Sequence, residues 1–218
     1  EAPDVLAENP DVVIIATGGM PNTEFLEAGD DLAVTTWDII SGAVKPAENV
    51  LLFDDNGGQA GLQAAEFIAE AGSKLEIFTP ERFFAPDVGG LNHVPYAQCF
   101  EKHDVTITLN QRLTSIRRDG NGLVAVIGSD YSDLVREQRI DQVVVEHGTL
   151  PLDELYFDLK ENAVNRGAVD YDALIANKPQ TLISNPGGAY RLLRIGDAVA
   201  SRNIHAAIYD ALRLCKDL

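Results

Sequence analysis

Two short stretches of this chain carry residue types suited to holding a nucleotide. The first is Asn56-Gly57-Gly58-Gln59-Ala60-Gly61, set between the apolar run Val50 to Phe53 and a helical pattern from Gly58 to Ala71. A dinucleotide turn asks for glycine three times: for a tight bend, for close approach of backbone to pyrophosphate, and for contact of helix with strand. Gly58 and Gly61 stand at the second and third of these positions, and Asn56 stands at the first. Asparagine is the non-glycine residue best able to take a positive φ, which keeps the bend available. The second stretch is Gly196-Asp197, between a strand running into Ile195 and a helix expected from about Asn203 to the chain end. A carboxylate there can accept hydrogen bonds from sugar or ribityl hydroxyls, and the helix offers N-terminal amides to a phosphate. An ordinary helix cap by Asp197, Ser201 or Asn203 accounts for the same residues equally well.

The first stretch has features that oppose nicotinamide binding. A ribose-holding acid is expected about twenty positions after the turn, at the end of the next strand. That strand ends in Thr79-Pro80, with Glu81 beyond it. Asp54 and Asp55 also place two negative charges at the mouth where a pyrophosphate would lie, an unfavourable field in a partly buried site. These features favour a structural Rossmann-like unit over a working NAD(P)H site.

Strands and helices must hold both stretches in place. "DVVIIATGG" reads as a buried parallel strand, residues 12 to 16, ending in a turn at Gly18 and Gly19. Residues 20 to 49 read as irregular, with a short helix around "TTWDIISG". From 49 the pattern is βαβ: strand Val50 to Phe53, then a helix with Leu62, Ala65, Phe67, Ile68 and Ala69 near its inner face, then strand Leu75 to Phe78. "PERFFAPDVGG" reads as a loop anchored on the core, and "LNHVPYAQCFEKH" as a helix with Pro95 near its first turn. After a strand in "DVTITL", two alternating runs joined by Asp119-Gly120-Asn121-Gly122 predict a β-hairpin. "RIDQVVVEHGTLP" predicts one more strand, and residues 151 to 189 show only weak periodicity. The predicted fold class is α/β, a Rossmann-like three-layer fold of the FAD/NAD(P)-binding type. It comprises an incomplete FAD-type half, residues 1 to 47 and 151 to 218, and an inserted NAD(P)-type domain with a β-hairpin, residues 48 to 150.

Charge narrows the range of partners. Seventeen basic against thirty-four acidic residues give a formal net charge of -17 over 218 residues. Such a surface repels phosphate backbones and anionic membranes, so nucleic acid and membrane are not expected as partners. No segment reaches the length of a membrane span, and no charged, apolar leader opens the chain. Cys99 and Cys215 form no CxxC pair, and His93, His103, His147 and His205 are scattered, so no metal site is expected and a reducing, cytoplasmic setting fits. Ser41 in "ISGAV" lacks the flanks of a nucleophile elbow, and no catalytic residue is assigned. The first strand follows only a short polar lead, so part of a larger protein is expected upstream. Without that part, the strand at 12 to 16 and the one before Gly196 are expected to expose apolar faces and unpaired edges.

Taken in order, "VVIIATGG", "NGGQAG" and "RIGDAVASRNIHAAIYDAL" resemble the C-terminal end of two-dinucleotide-domain flavoproteins. More closely, the chain is similar to the C-terminal region of the NADH:flavin oxidoreductase (Old Yellow Enzyme-like) family, in its trimethylamine dehydrogenase and 2,4-dienoyl-CoA reductase branch. "VLLFDDNGGQAG" and "DQVVVEHGTLPLDELYF" look like its bacterial members that demethylate small amines and N-methyl amino acids. The resemblance implies a missing N-terminal barrel carrying FMN and a [4Fe-4S] cluster, with bond breaking there and no turnover by this region alone. It implies that Gly18, Gly196 and Asp197 line an FAD or ADP site, while Asn56, Gly58 and Gly61 mark the pyrophosphate turn of the insert. It further implies a homo-oligomeric parent acting on a small N-methylated or enoyl substrate: either a reductase that keeps FAD and the nicotinamide site, or an amine dehydrogenase that holds ADP and passes electrons to an electron-transfer flavoprotein, the arrangement that Asn56 and Thr79 favour. The rival reading is a non-catalytic Rossmann-like scaffold or a docking module for an electron carrier.

Overall fold

A computed structural model of the chain describes residues 1–215 and divides them into two units: Glu1–Met20 with Thr149–Leu218, and Pro21–Gly148. The expected helix end at 216 to 218 lies outside the described residues.

The Pro21–Gly148 unit has three layers. Its centre is a five-stranded parallel sheet in the order Ala33–Thr35, Gln142–Glu146, Asn49–Asp54, Lys74–Phe78, Thr106–Thr108. The strand Asn49–Asp54 is buried on both sides, and its alternation sends Val50 and Leu52 into one core and Leu51 and Phe53 into the other. Each such side chain contributes about 1.5–3 kcal/mol on leaving water. The first core is closed by the helices Thr36–Ile40, Gln59–Glu70 and Gly90–Lys102. The second is closed by an antiparallel sheet, Arg112–Asp119, Gly122–Gly128 and Val135–Ile140.

Several expectations change here. Residues 20 to 49 hold the edge strand Ala33–Thr35, which pairs with Gln142–Glu146 and so lies in the Pro21–Gly148 unit. The single strand expected in "RIDQVVVEHGTLP" is two: Val135–Ile140 extends the hairpin, and Gln142–Glu146 enters the parallel sheet after Asp141. Phe67 is 44% exposed, because the buried stripe of its helix runs through Gly61, Leu62, Ala65, Ile68 and Ala69 and Phe67 falls off that face. The helix stops where Gly72 (φ 89) and Ser73 turn their amides back to Ala69 and Ile68. Pro95 stands in the second turn of its helix, which begins at Gly90. Phe84 is buried and Phe83 exposed, so one ring anchors the 80 to 90 loop.

In the Glu1–Met20 and Thr149–Leu218 unit, Val12–Ile15 pairs in parallel with Arg191–Arg194 and, among the described residues, with no other strand. Val13, Ile15, Leu192, Tyr156, Leu159, Ala163, Tyr190 and Ala198 form its core. The helices Ala2–Ala7, Glu154–Lys160 and Tyr171–Ile175 arise where the sequence shows little periodicity, and the last is capped by Asp170. Ile14 is partly exposed, and Ile204, Ile208 and Leu212 of the helix Ile204–Leu214 are exposed. Among the described residues no helix is long and apolar enough to cross a membrane.

Candidate functional site

Both stretches singled out in the sequence lie at the carboxyl ends of parallel strands, where open α/β sheets bind ligands. In the first unit, Val12–Ile15 leads to Gly18 and Arg191–Arg194 leads to Gly196, both in left-handed backbone (φ 75 and 63). Only glycine takes that conformation without strain. The two glycines and Asp197 line one cavity of about 390 Å³ with Arg202, Asn203 and Ile204.

Asp197 is half-buried: its Oδ1 accepts from the Arg202 amide at 3.3 Å, and its Oδ2 lies 3.5 Å from the Thr149 hydroxyl. Each oxygen thus accepts one hydrogen bond and keeps capacity for another. Arg202 is held by Asp210 and by the Gly196 carbonyl at 3.0 Å, and Asp210 also accepts from the Gly196 amide at 3.0 Å. The helix that follows is capped by the Asn203 side chain on the Ala206 amide at 3.0 Å. The amides of Ile204 and His205 have no internal acceptor among the described residues. A carboxylate with unused acceptor capacity, a guanidinium and two open amides at a helix N-terminus suit a sugar–phosphate fragment. Arg202 and Asp210 escape sequence reading because only their contacts, eight residues apart, bring them under Gly196.

In the second unit the turn follows Asn49–Asp54, at the point where the sheet order reverses between that strand and Gln142–Glu146. The left-handed residue is Gly57 (φ 72); Asn56 is not in positive-φ backbone, so its expected role in the bend passes to its neighbour. Asn56 uses its side chain instead, donating from Nδ2 to Glu146 Oε1 at 3.0 Å. Glu146 also accepts from the Gly148 amide at 3.2 Å and from the Thr36 hydroxyl. Asp54 is paired in register with Glu146 and is 1% exposed. Its Oδ1 accepts from the amides of Asn56 and Gly57 at 2.9 and 3.0 Å, and its Oδ2 has no partner. That oxygen faces Gly61, where an added Cβ would lie 1.9 Å from it. A Cβ on Gly58 would meet nothing closer than 3.7 Å.

Burial, with smaller contributions from the charges of Glu146 and Asp55, pushes the Asp54 carboxyl up to about 7, and burial also raises that of Glu146. Asp55 meets His147 Nδ1 at 2.6 Å, and the His147 ring stacks on Phe25. Thr79 is buried at its strand end. The sequence signal for Glu146 is an acid that follows directly on the apolar run Val143 to Val145.

No family model matches the chain. It is 57% identical over 218 residues to a probable N-methylproline demethylase of Rhizobium meliloti (strain 1021), covering 100% of this chain and 32% of that protein. It is 42% identical over 219 residues to the N,N-dimethylglycine/sarcosine dehydrogenase of Chromohalobacter salexigens, covering 95% of this chain and again 32% of the relative. The chain thus spans about a third of the length of the curated relatives it matches. The histamine dehydrogenase structure from Rhizobium sp. 4-9 superposes with a TM-score of 0.75 over 97% of this chain and 30% of that one, at 23% identity, a likeness of fold.

Proposed function

Because the chain belongs to the Old Yellow Enzyme-like NADH:flavin oxidoreductase family, in the branch of N-methylproline demethylase and dimethylglycine/sarcosine dehydrogenase, we propose that it is the nucleotide-holding region of a larger flavin-dependent oxidoreductase acting on a small N-methylated substrate. The observation that carries this reading is the cavity where Gly18, Gly196 and Asp197 converge on the N-terminus of the helix Ile204–Leu214. FAD or ADP is the ligand proposed. Asp197 accepts hydrogen bonds from its ribose or ribityl hydroxyls, and Arg202 with the amides of Ile204 and His205 holds its phosphate side. Gly18 and Gly196 leave room for the ligand because neither carries a Cβ.

The family likeness supports placing the bond-breaking chemistry in a further, N-terminal barrel with FMN and a [4Fe-4S] cluster, which supply hydride acceptance and single-electron relay. It likewise supports a cytoplasmic homo-oligomer delivering electrons to an electron-transfer flavoprotein. In that arrangement this region binds a nucleotide and contributes no catalytic residue. The Pro21–Gly148 unit serves as a Rossmann-like scaffold without a working NAD(P)H site.

Isothermal titration of the chain with ADP and with FAD tests the reading. Binding of either that weakens at least tenfold in Asp197→Ala supports it, and absence of heat with both overturns it. The ratio of the two affinities then chooses between the ligands.

A further inference from the structure

Asparagine followed by glycine is a pair in which the chain can attack itself. The glycine backbone nitrogen loses its proton and bonds to the side-chain carbonyl carbon of the asparagine, the carbon–nitrogen bond of the side-chain amide breaks, and ammonia leaves. The five-membered succinimide so formed is opened by water at either carbonyl, giving aspartate or isoaspartate. Glycine favours the step because it has no Cβ to obstruct the approach and takes backbone angles other residues avoid. The chain contains this pair twice, at Asn56-Gly57 and at Asn121-Gly122. The two are held in opposite ways.

At the first pair both reacting groups are engaged. The Asn56 side chain donates from Nδ2 to Glu146 Oε1 at 3.0 Å, and the Gly57 amide, which would be the nucleophile, donates to Asp54 Oδ1 at 3.0 Å. Ring closure there requires both bonds to break beside a strand whose residues Val50 to Asp54 are all buried. At the second pair Asn121 is exposed, and its side chain has no hydrogen-bond partner among the described residues. It stands with Gly120 (φ 61) in the two-residue loop between Arg112–Asp119 and Gly122–Gly128. The Gly122 amide belongs to Asp119↔Gly122, the end pair of that ladder. End pairs open at little cost, whereas buried central elements open only with much of their unit. Arg139 lines the same groove as Asn121 and pairs with Asp119 at 3.3 Å, so a cation offsets the acid that ends the strand.

We propose that Asn121 is a site of spontaneous deamidation and that Asn56, with the same neighbour in sequence, is protected from it. Each event exchanges a neutral amide for a carboxylate and makes the chain one unit more negative than its formal -17. The isoaspartate form also adds a backbone carbon to the turn that sets the register of the hairpin. The inference concerns the hairpin end and stands whether or not the Gly196–Asp197 cavity binds FAD or ADP.

The test is peptide mapping by mass spectrometry of the folded chain after timed incubation at mildly alkaline pH, beside a synthetic peptide of residues 118 to 124 as the unfolded reference. Asn121 is expected to convert at least about tenfold faster than Asn56, a difference of about 1.4 kcal/mol in the cost of opening. A smaller ratio overturns the proposal. So does an unconverted Asn121 over the time in which the peptide is consumed, and neither arm needs a variant. In Asn121→Ser the acidic species that grows on ion exchange should fall away, and its persistence at the wild-type amount overturns the assignment to Asn121.

Discussion

The turns at Asp54–Gly61 and at Ile195–Ile204 are built from the same parts: a parallel strand, a left-handed glycine, an acid and a helix start. They differ in where the acid stands. Asp54 comes before the glycines, at the buried end of its strand, and draws the turn amides inward. Asp197 comes directly after Gly196, half-buried beside a cavity, with the amides of the following helix left open. The same kind of carboxylate thus draws two turn amides inward at one site and lines a cavity at the other.

The largest expected effect concerns charge at the closed turn. Asp54 has its folded-state value raised from 3.8 to about 7, so the native state holds more protons than the unfolded chain between those limits. Stability from this group is therefore unimpaired below about pH 4 and is lost progressively as pH rises through 7, a total of about 4 kcal/mol for three units. Urea unfolding at pH 5 and pH 8 should show the larger part of this loss in wild type and not in Asp54→Asn. An equal pH response of the two would remove burial of Asp54 from the comparison.

Gly61→Ala comes next. Its Cβ would overlap Asp54 Oδ2, and crowding of this kind costs about 1–3 kcal/mol. Combining it with Asp54→Ser should restore part of that loss, whereas strict additivity of the two changes would mean that the oxygen is not what Gly61 accommodates.

At the open turn, Asp197→Ala should weaken adenine nucleotide binding by roughly ten- to a hundredfold, the range of about 1.5–3 kcal/mol for hydrogen bonds to a charged group. Unchanged affinity would leave the two turns alike. The smallest effect is that of Asn203→Ala. It removes the cap on Ala206 and should lower the stability of the helix Ile204–Leu214 by about 1 kcal/mol, seen as faster amide exchange there and not at Gln59–Glu70.

Much of this architecture is readable from residue order. Val50 to Phe53, the helix after Gly58 and the Asp119-Gly120-Asn121-Gly122 hairpin each combine a local period with turn chemistry, and local signals survive folding. What escapes is set by distant partners. Ala33–Thr35 is three residues long and is a strand because Gln142–Glu146 lies beside it. Asn56 suggests a backbone role by its type, yet its side chain answers to Glu146, ninety residues away. The acidity of Asp54-Asp55 is visible in the string of letters, but its direction is not. Whether an acid at a strand end faces outward or curls into its own turn depends on a glycine seven residues later giving it room. Arg202 and Asp210 are a surface-like helix pair in sequence and the underpinning of Gly196 in space.

The sheet formed by Val12–Ile15 and Arg191–Arg194 joins two segments far apart in the sequence. During synthesis Val12–Ile15 leaves the ribosome long before Arg191–Arg194, the strand it pairs with here. The segment between them carries its own parallel sheet and cores and is free to fold in the interval. Order of translation thus separates the pairing of the two strands in time from the folding of the segment between them.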